Sequence, residues 1–115
     1  MSLTLLLRCN DIEETREFYE TVLGFNVSET AGTLTAERSR AKLVFTQQDL
    51  WRSLPVCSGT IYFTVSDADS YFASLQDRVS VAWPAQDRPH GSREFGINDC
   101  NGYYLAFQQH VSFKP

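Results

Sequence analysis

Side chains able to do covalent or metal chemistry are few and scattered in this chain. Cysteines stand at positions 9, 57 and 100, and histidines at 90 and 110. A structural zinc site or redox pair needs thiolates close in sequence, as in C-x-x-C, and an odd number of widely spaced cysteines argues against a disulfide framework as well. The three are read as reduced thiols, and none has a base beside it in sequence that would make it a nucleophile. His90 and His110 flank the predicted last hairpin, where a lone imidazole is more simply solvated than coordinating. No catalytic residue is assigned. What remains is binding chemistry: eight Phe, five Tyr and two Trp are more aromatic surface than packing a small core requires, so part of it is expected to line a pocket.

With 115 residues, 43% hydrophobic and 21% charged, the chain has the size and balance of one globular domain. A net charge of −4 leaves no basic surface to track a phosphate backbone, which excludes nucleic acid as the expected partner and favours a cation at long range. Apolar runs such as Leu5-Leu6-Leu7 are far short of the roughly 20 residues a membrane helix needs, and the expected location is the cytoplasm.

The elements that would position a pocket occur twice. Residues 3–8 read as a strand, and Ile12, Phe18, Tyr19, Val22 and Leu23 recur at helical spacing. Asp11 and Glu14 are suited to start that helix, and Gly24 to end it, giving a helix over 11–23. Three short strands come next, near 25–28, 33–36 and 42–46. The second half repeats the order: a strand at 60–65, Asp67 as cap, a helix with Ala68, Tyr71, Phe72 and Leu75 on its apolar face, then strands near 79–83, 93–98 and 103–108. Asn101-Gly102 is a hairpin signal between the last two. The chain is therefore read as two βαβββ modules, an internal duplication.

Because strand side chains alternate between faces, the same positions separate core from pocket. Leu5, Leu7, Leu43, Phe45, Ile61, Phe63, Val65, Leu105 and Phe107 make an apolar set suited to packing under the helices. Thr4, Leu6, Arg8, Lys42, Val44, Thr46, Thr60, Tyr62, Thr64, Tyr104, Ala106 and Gln108 make a mixed set on the other face. Tyr62 and Tyr104, at comparable depths on two strands, favour a ligand-holding face over a solvated one. Trp83 continues the alternation of Val79 and Val81 and is read as mostly core.

The duplicated βαβββ order, the helix motif Phe18-Tyr19-Glu20-Thr21-Val22-Leu23-Gly24-Phe25 and the segment from Gly91 to Phe107 resemble the vicinal oxygen chelate superfamily, which includes glyoxalase I, extradiol dioxygenases and bleomycin resistance proteins. The resemblance implies an α+β fold in which two βαβββ modules form a cup-shaped, incompletely closed eight-stranded sheet with the helices outside. Module one would span about 3–48, a linker 49–58 and module two about 59–109, within a single domain. A homodimer is implied as well. The closing turn, commonly Asp-Pro-Asp-Gly in the family, is here Asp99-Cys100-Asn101-Gly102, which should keep its geometry because Asn tolerates positive φ and Gly has no Cβ.

In metal-dependent members the ligands come from the start of each module's first strand and from each module's last strand. The matching positions are Thr4, Val44, Thr60 and Ala106, which cannot supply the imidazoles and carboxylates a divalent cation needs, so neither a metal nor another cofactor is expected. The chain then resembles the bleomycin resistance branch, with Gly91-Ser92-Arg93-Glu94-Phe95 as local support. This implies non-catalytic sequestration of a small molecule, cationic or aromatic, in a cup or dimer crevice, as in antibiotic resistance. The candidate ligand-binding residues are Arg8, Lys42, Trp51, Thr60, Tyr62, Glu94 and Tyr104, with Trp83 as a further aromatic. Arg8 and Lys42, if they face inward, argue instead for an anion. The alternative is a metal-dependent lyase, isomerase or dioxygenase whose site has moved to Glu94, His90 or neighbours.

Overall fold

The computed structural model describes residues 1–89 and 91–110; His90, a candidate for a relocated site, lies outside the described residues. The elements run β1 (Leu5–Arg8), α1 (Ile12–Glu17), β2 (Asn26–Thr30), β3 (Thr33–Arg38), β4 (Ala41–Thr46), β5 (Thr60–Thr64), α2 (Ala68–Leu75), β6 (Ser80–Asp87), β7 (Ser92–Asn98) and β8 (Tyr104–His110). This is the βαβββ order twice, an α+β fold. Two four-stranded mixed sheets result, ordered β1-β4-β3-β2 and β5-β8-β7-β6, each with a parallel pair (β1/β4, β5/β8) and antiparallel partners beyond it.

Two compact units divide the chain: Met1–Cys57 with Cys100–Gly102, and the described residues of 58–99 and 103–110. In unit one, the Asp11 carboxylate accepts from the N–H groups of Glu13 and Glu14 and starts α1, satisfying donors that have no partner inside the helix. The helix continues as a π-helical turn over Phe18–Val22, with the Leu23 N–H donating to the Phe18 carbonyl at 3.0 Å. Tyr19 is fully buried there, its ring centroid 4.9 Å from that of Phe45 and 5.5 Å from that of Phe25. Gly24 ends the helix at φ +81°, a conformation a Cβ would strain. Asn101 is buried in this unit: its amide donates to Thr15 Oγ1 at 3.1 Å and its carbonyl oxygen accepts from the Asn10 N–H at 2.9 Å. In the closing turn only Gly102 takes positive φ. Asn101 is thus used for its amide, not for the backbone freedom expected of it.

Unit two is centred on Phe107, whose ring lies 5.2 Å from Phe63, 5.2 Å from Phe95 and 5.0 Å from Tyr71 of α2. Ile97 and Leu105, paired across β7 and β8, complete a fully buried layer. The predicted faces hold where strands are regular: Leu43, Phe45, Phe63, Leu105 and Phe107 are buried, while Thr60, Tyr62 and Thr64 are exposed.

β6 departs from expectation. It runs to Asp87 and is irregular against β7: Val81 pairs with Ile97, Trp83 with Gly96 and Gln86 with Glu94. Two steps along β6 against one along β7 is a bulge, and a bulge reverses the facing of the residues beyond it. Trp83 therefore lies on the face opposite the core layer, which corrects its reading as core. Pro84, which cannot donate to a ladder, is accommodated because β6 is the edge strand and is irregular there.

Candidate functional site

The mixed face of unit two is organised by Glu94 on β7. Its side chain is only 4% exposed, and a carboxylate taken from water must be met by donors. Three converge on it. Trp83 Nε1–H donates to Oε2 at 3.0 Å, the Tyr62 hydroxyl lies 3.2 Å from Oε2 and 3.4 Å from Oε1, and Arg88 Nε is 3.5 Å from Oε1. The neighbouring Arg93 points the other way, alternating with Glu94 as a strand requires. It bonds Asp69 of α2 at 2.8 Å and Asp87 of β6 at 3.0 Å.

Trp83 reaches Glu94 because Gly96 leaves room. The indole lies flat over that glycine, so close that a Cβ built there would sit 2.3 Å from Trp83 Cε2. Ala106, the residue across from Gly96 on β8, is also small and fully buried. The indole also stands beside Tyr104, the two rings nearly parallel with centroids 6.3 Å apart. Bulge, glycine and carboxylate together seat this ring.

Beside it opens a cleft of about 650 Å³, lined by Tyr62, Arg88, Pro89, Ser92, Glu94, Gln108 and His110. Register explains most of this lining: Ser92 pairs with His110 and Glu94 with Gln108, so the four side chains form two rungs on one face. Arg88 enters from the turn after β6, where its N–H donates to the Ser92 carbonyl at 2.8 Å and its carbonyl accepts from the Gly91 N–H at 3.0 Å. The Tyr62 ring is half exposed, yet its hydroxyl end meets the buried carboxylate. Desolvation and then the charge and hydrogen bond of Glu94 hold the phenol above its ordinary pKa of 10.0, with Arg88 pulling it part of the way back.

Of the residues singled out from sequence, Tyr62 and Glu94 line this cleft, Tyr104 stands against Trp83, and Thr60 begins β5 opposite Tyr104, exposed. The other three belong to unit one and do not line it. Arg8 is bound to Asp49 at 3.2 Å and to the Ser53 carbonyl, Lys42 is exposed opposite Glu37, and Trp51 is 49% exposed in the stretch after β4. Sequence reasoning missed Arg88, Pro89 and Ser92 as lining residues and set His110 aside. No local pattern marks Arg88; the pairing of Ser92 with His110 emerges once the hairpin register about Asn101-Gly102 is counted outward.

A metal fits poorly. Thr60 is exposed, Thr4 precedes β1, Val44 is half-buried and Ala106 is buried across from Gly96, a set with two hydroxyls and no stronger ligand. Among the described residues no group of three or more His, Cys, Asp or Glu side chains could hold an ion. Nor is any helix among them long and apolar enough to cross a membrane.

Known proteins share this architecture. The family model described as "Glyoxalase/Bleomycin resistance protein/Dioxygenase superfamily" matches residues 3–107. No curated protein matches the chain. Among solved structures, TioX from Micromonospora sp. ML1 superposes with a TM-score of 0.81 at 17% identity, covering 96% of this chain and 99% of that one. A glyoxalase/bleomycin resistance protein/dioxygenase from Nocardioides gives 0.76 at 19% identity, over 99% of this chain and 85% of its own. A lactoylglutathione lyase from Agrobacterium tumefaciens gives 0.74 at 18% identity, over 95% and 92%. At these identities the likeness is one of fold.

Proposed function

Because the chain belongs to the glyoxalase/bleomycin resistance protein/dioxygenase superfamily, we propose that it is a member that binds a small molecule without transforming it, in the cleft beside Glu94. The observation that carries this is the fate of the family's ligand positions: Thr4, Val44, Thr60 and Ala106 offer no metal-binding set, and Ala106 lies beside a glycine covered by the Trp83 ring. Glu94 does not replace them, since both its oxygens are engaged by Tyr62, Trp83 and Arg88. Tyr62 and Tyr104, each nearly half exposed, supply flat apolar surface for an aromatic ligand. Sequestration of an antibiotic in the cytoplasm is the role this reading carries, supported by the likeness of the Gly91–Phe95 stretch to drug-sequestering members. Purified protein incubated with nickel, zinc, iron and manganese and then desalted should retain less than about a tenth of an equivalent of each. Near-stoichiometric retention of one metal would overturn the reading in favour of a metal-dependent lyase or dioxygenase.

The same reading has the chain acting as a homodimer. Leu50, Trp51, Leu54 and Val56, 55%, 49%, 77% and 70% exposed, form a run of apolar side chains that association would cover. Sedimentation should give twice the chain mass, and Trp51→Glu combined with Leu54→Glu should give the monomer; a wild-type monomer at about 100 μM, well above typical dimer dissociation constants, would remove dimerisation from the proposal.

A further inference from the structure

We infer that the Glu94 cleft receives the carboxylate of a planar small molecule on Arg88, and that Glu94 serves to aim Arg88 rather than to meet the ligand. The inference rests on the reading of this cleft as a small-molecule site and adds the sign of the charge it takes.

The one acceptor-only side chain among the described residues of the cleft is already in use. Glu94 is the one carboxylate among the described residues lining it, and its oxygens already accept from Tyr62 and Trp83 and pair with Arg88 while its side chain is 4% exposed. A cationic ligand would have to displace Arg88 or share oxygens that are in use. Of the other polar lining groups, Ser92, Gln108 and His110 can donate or accept, with Gln108 Nε2 donating to Thr64 Oγ1 at 3.4 Å, while the guanidinium of Arg88 can only donate.

Arg88 is also held in a way that suits capture. Its backbone is fixed by the two hydrogen bonds of the turn to Ser92 and Gly91, and Gly91, at φ +84°, supplies the left-handed step that closes it. The guanidinium meets Glu94 through Nε, and the side chain remains 44% exposed. Lying beside Glu94 and the Tyr62 hydroxyl, the half-exposed guanidinium presents a planar fork whose geometry matches a carboxylate with two parallel bonds. Arg88 and Glu94 cancel in charge, so the local field does not repel an anion even though the net charge of −4 disfavours one at a distance. Tyr62 and Pro89 flank the position with apolar surface for a flat ring.

Benzoate and benzamidine, nearly equal in shape and opposite in charge, test this directly. In Trp51→Phe protein the remaining indole is Trp83, bonded to Glu94, and its fluorescence should change saturably with benzoate at an affinity at least about tenfold above that for benzamidine. Arg88→Ala should weaken benzoate by about tenfold or more, with Arg88→Lys recovering part of the loss; the exposed side chain makes both variants compatible with folding. Tighter binding of benzamidine, or benzoate binding indifferent to Arg88→Ala, overturns the charge assignment and leaves the small-molecule reading standing. No saturable response to either probe overturns both.

Discussion

Gly96→Ala is expected to cost about 2–3 kcal/mol and to turn the Trp83 ring out of its seat. The backbone at Gly96 is not left-handed, unlike that at Gly24, Gly32, Gly91 and Gly102, so the residue is there for space. An added Cβ would lie 2.3, 2.4 and 2.6 Å from three indole carbons, where ordinary carbon contacts need about 3.5–4.0 Å. The sheet cannot yield, because Gly96 is paired on both sides by Trp83 and Ala106, so the indole must move. Moving it breaks the bond to a buried carboxylate, about 1.5–3 kcal/mol, and exposes part of a large ring, up to a further ~1.5–3 kcal/mol. The conformational gain of Ala over Gly in a strand offsets roughly 0.5–1 kcal/mol. Urea denaturation reads the stability and Trp83 emission, in a Trp51→Phe background, reads the position of the ring. The decisive form is a double-mutant cycle: after Trp83→Ala the same Gly96→Ala change should be neutral or stabilising. An equal penalty in both backgrounds would show that the close approach is not what the glycine serves.

The bulge before Trp83 also marks where the sequence stops being readable. Period-two alternation separates the two faces of β4, β5 and β8 because those strands are regular, and Phe45, Phe63 and Phe107 are buried as it requires. Applied to β6 it carries Trp83 into the core with Val79 and Val81, since nothing in Ser80-Val81-Ala82-Trp83 announces an extra residue. Pro84 is a weak signal of an irregular edge strand, and Gly96 gives its reason only once the indole is seen above it. Glu94 is legible as a residue of interest from the Gly91–Phe95 stretch, but its donors come from positions 62, 83 and 88 on two strands and a turn. Such long-range convergence leaves no local trace. Arg8 shows the opposite case: its position on the mixed face is as expected, but Asp49 and the Ser53 carbonyl occupy it.

Glu94→Gln should destabilise the protein by about 2 kcal/mol at neutral pH and, more tellingly, bring the Tyr62 phenol back toward its ordinary range. The substitution keeps shape and volume but turns one carboxylate oxygen into an amide that can only donate. Of the three donors, Trp83, Tyr62 and Arg88, at least one then faces another donor. A buried polar group left without a partner costs about 1–3 kcal/mol, and the part contributed by half-exposed Arg88 is small because water replaces its partner. Tyr62 reports the electrostatics separately. Its pKa is raised from 10.0 first by desolvation, then by the Glu94 charge and hydrogen bond, against an opposing pull from Arg88. A raised folded-state pKa means that the unfolded chain loses its phenolic proton first. The associated stability is therefore complete below about pH 10 and is lost as the pH rises through the folded pKa. Glu94→Gln removes the charge among the raising influences while leaving one oxygen able to accept from the phenol, so the alkaline loss should shrink, and Tyr62→Phe should abolish it. Tyrosine titration by NMR, with Tyr62→Phe identifying the resonance, measures the pKa, and denaturation at neutral and alkaline pH measures its consequence. A Tyr62 titration unmoved by Glu94→Gln would mean that the carboxylate does not govern this cleft, and the aiming of Arg88 by Glu94 would fall with it.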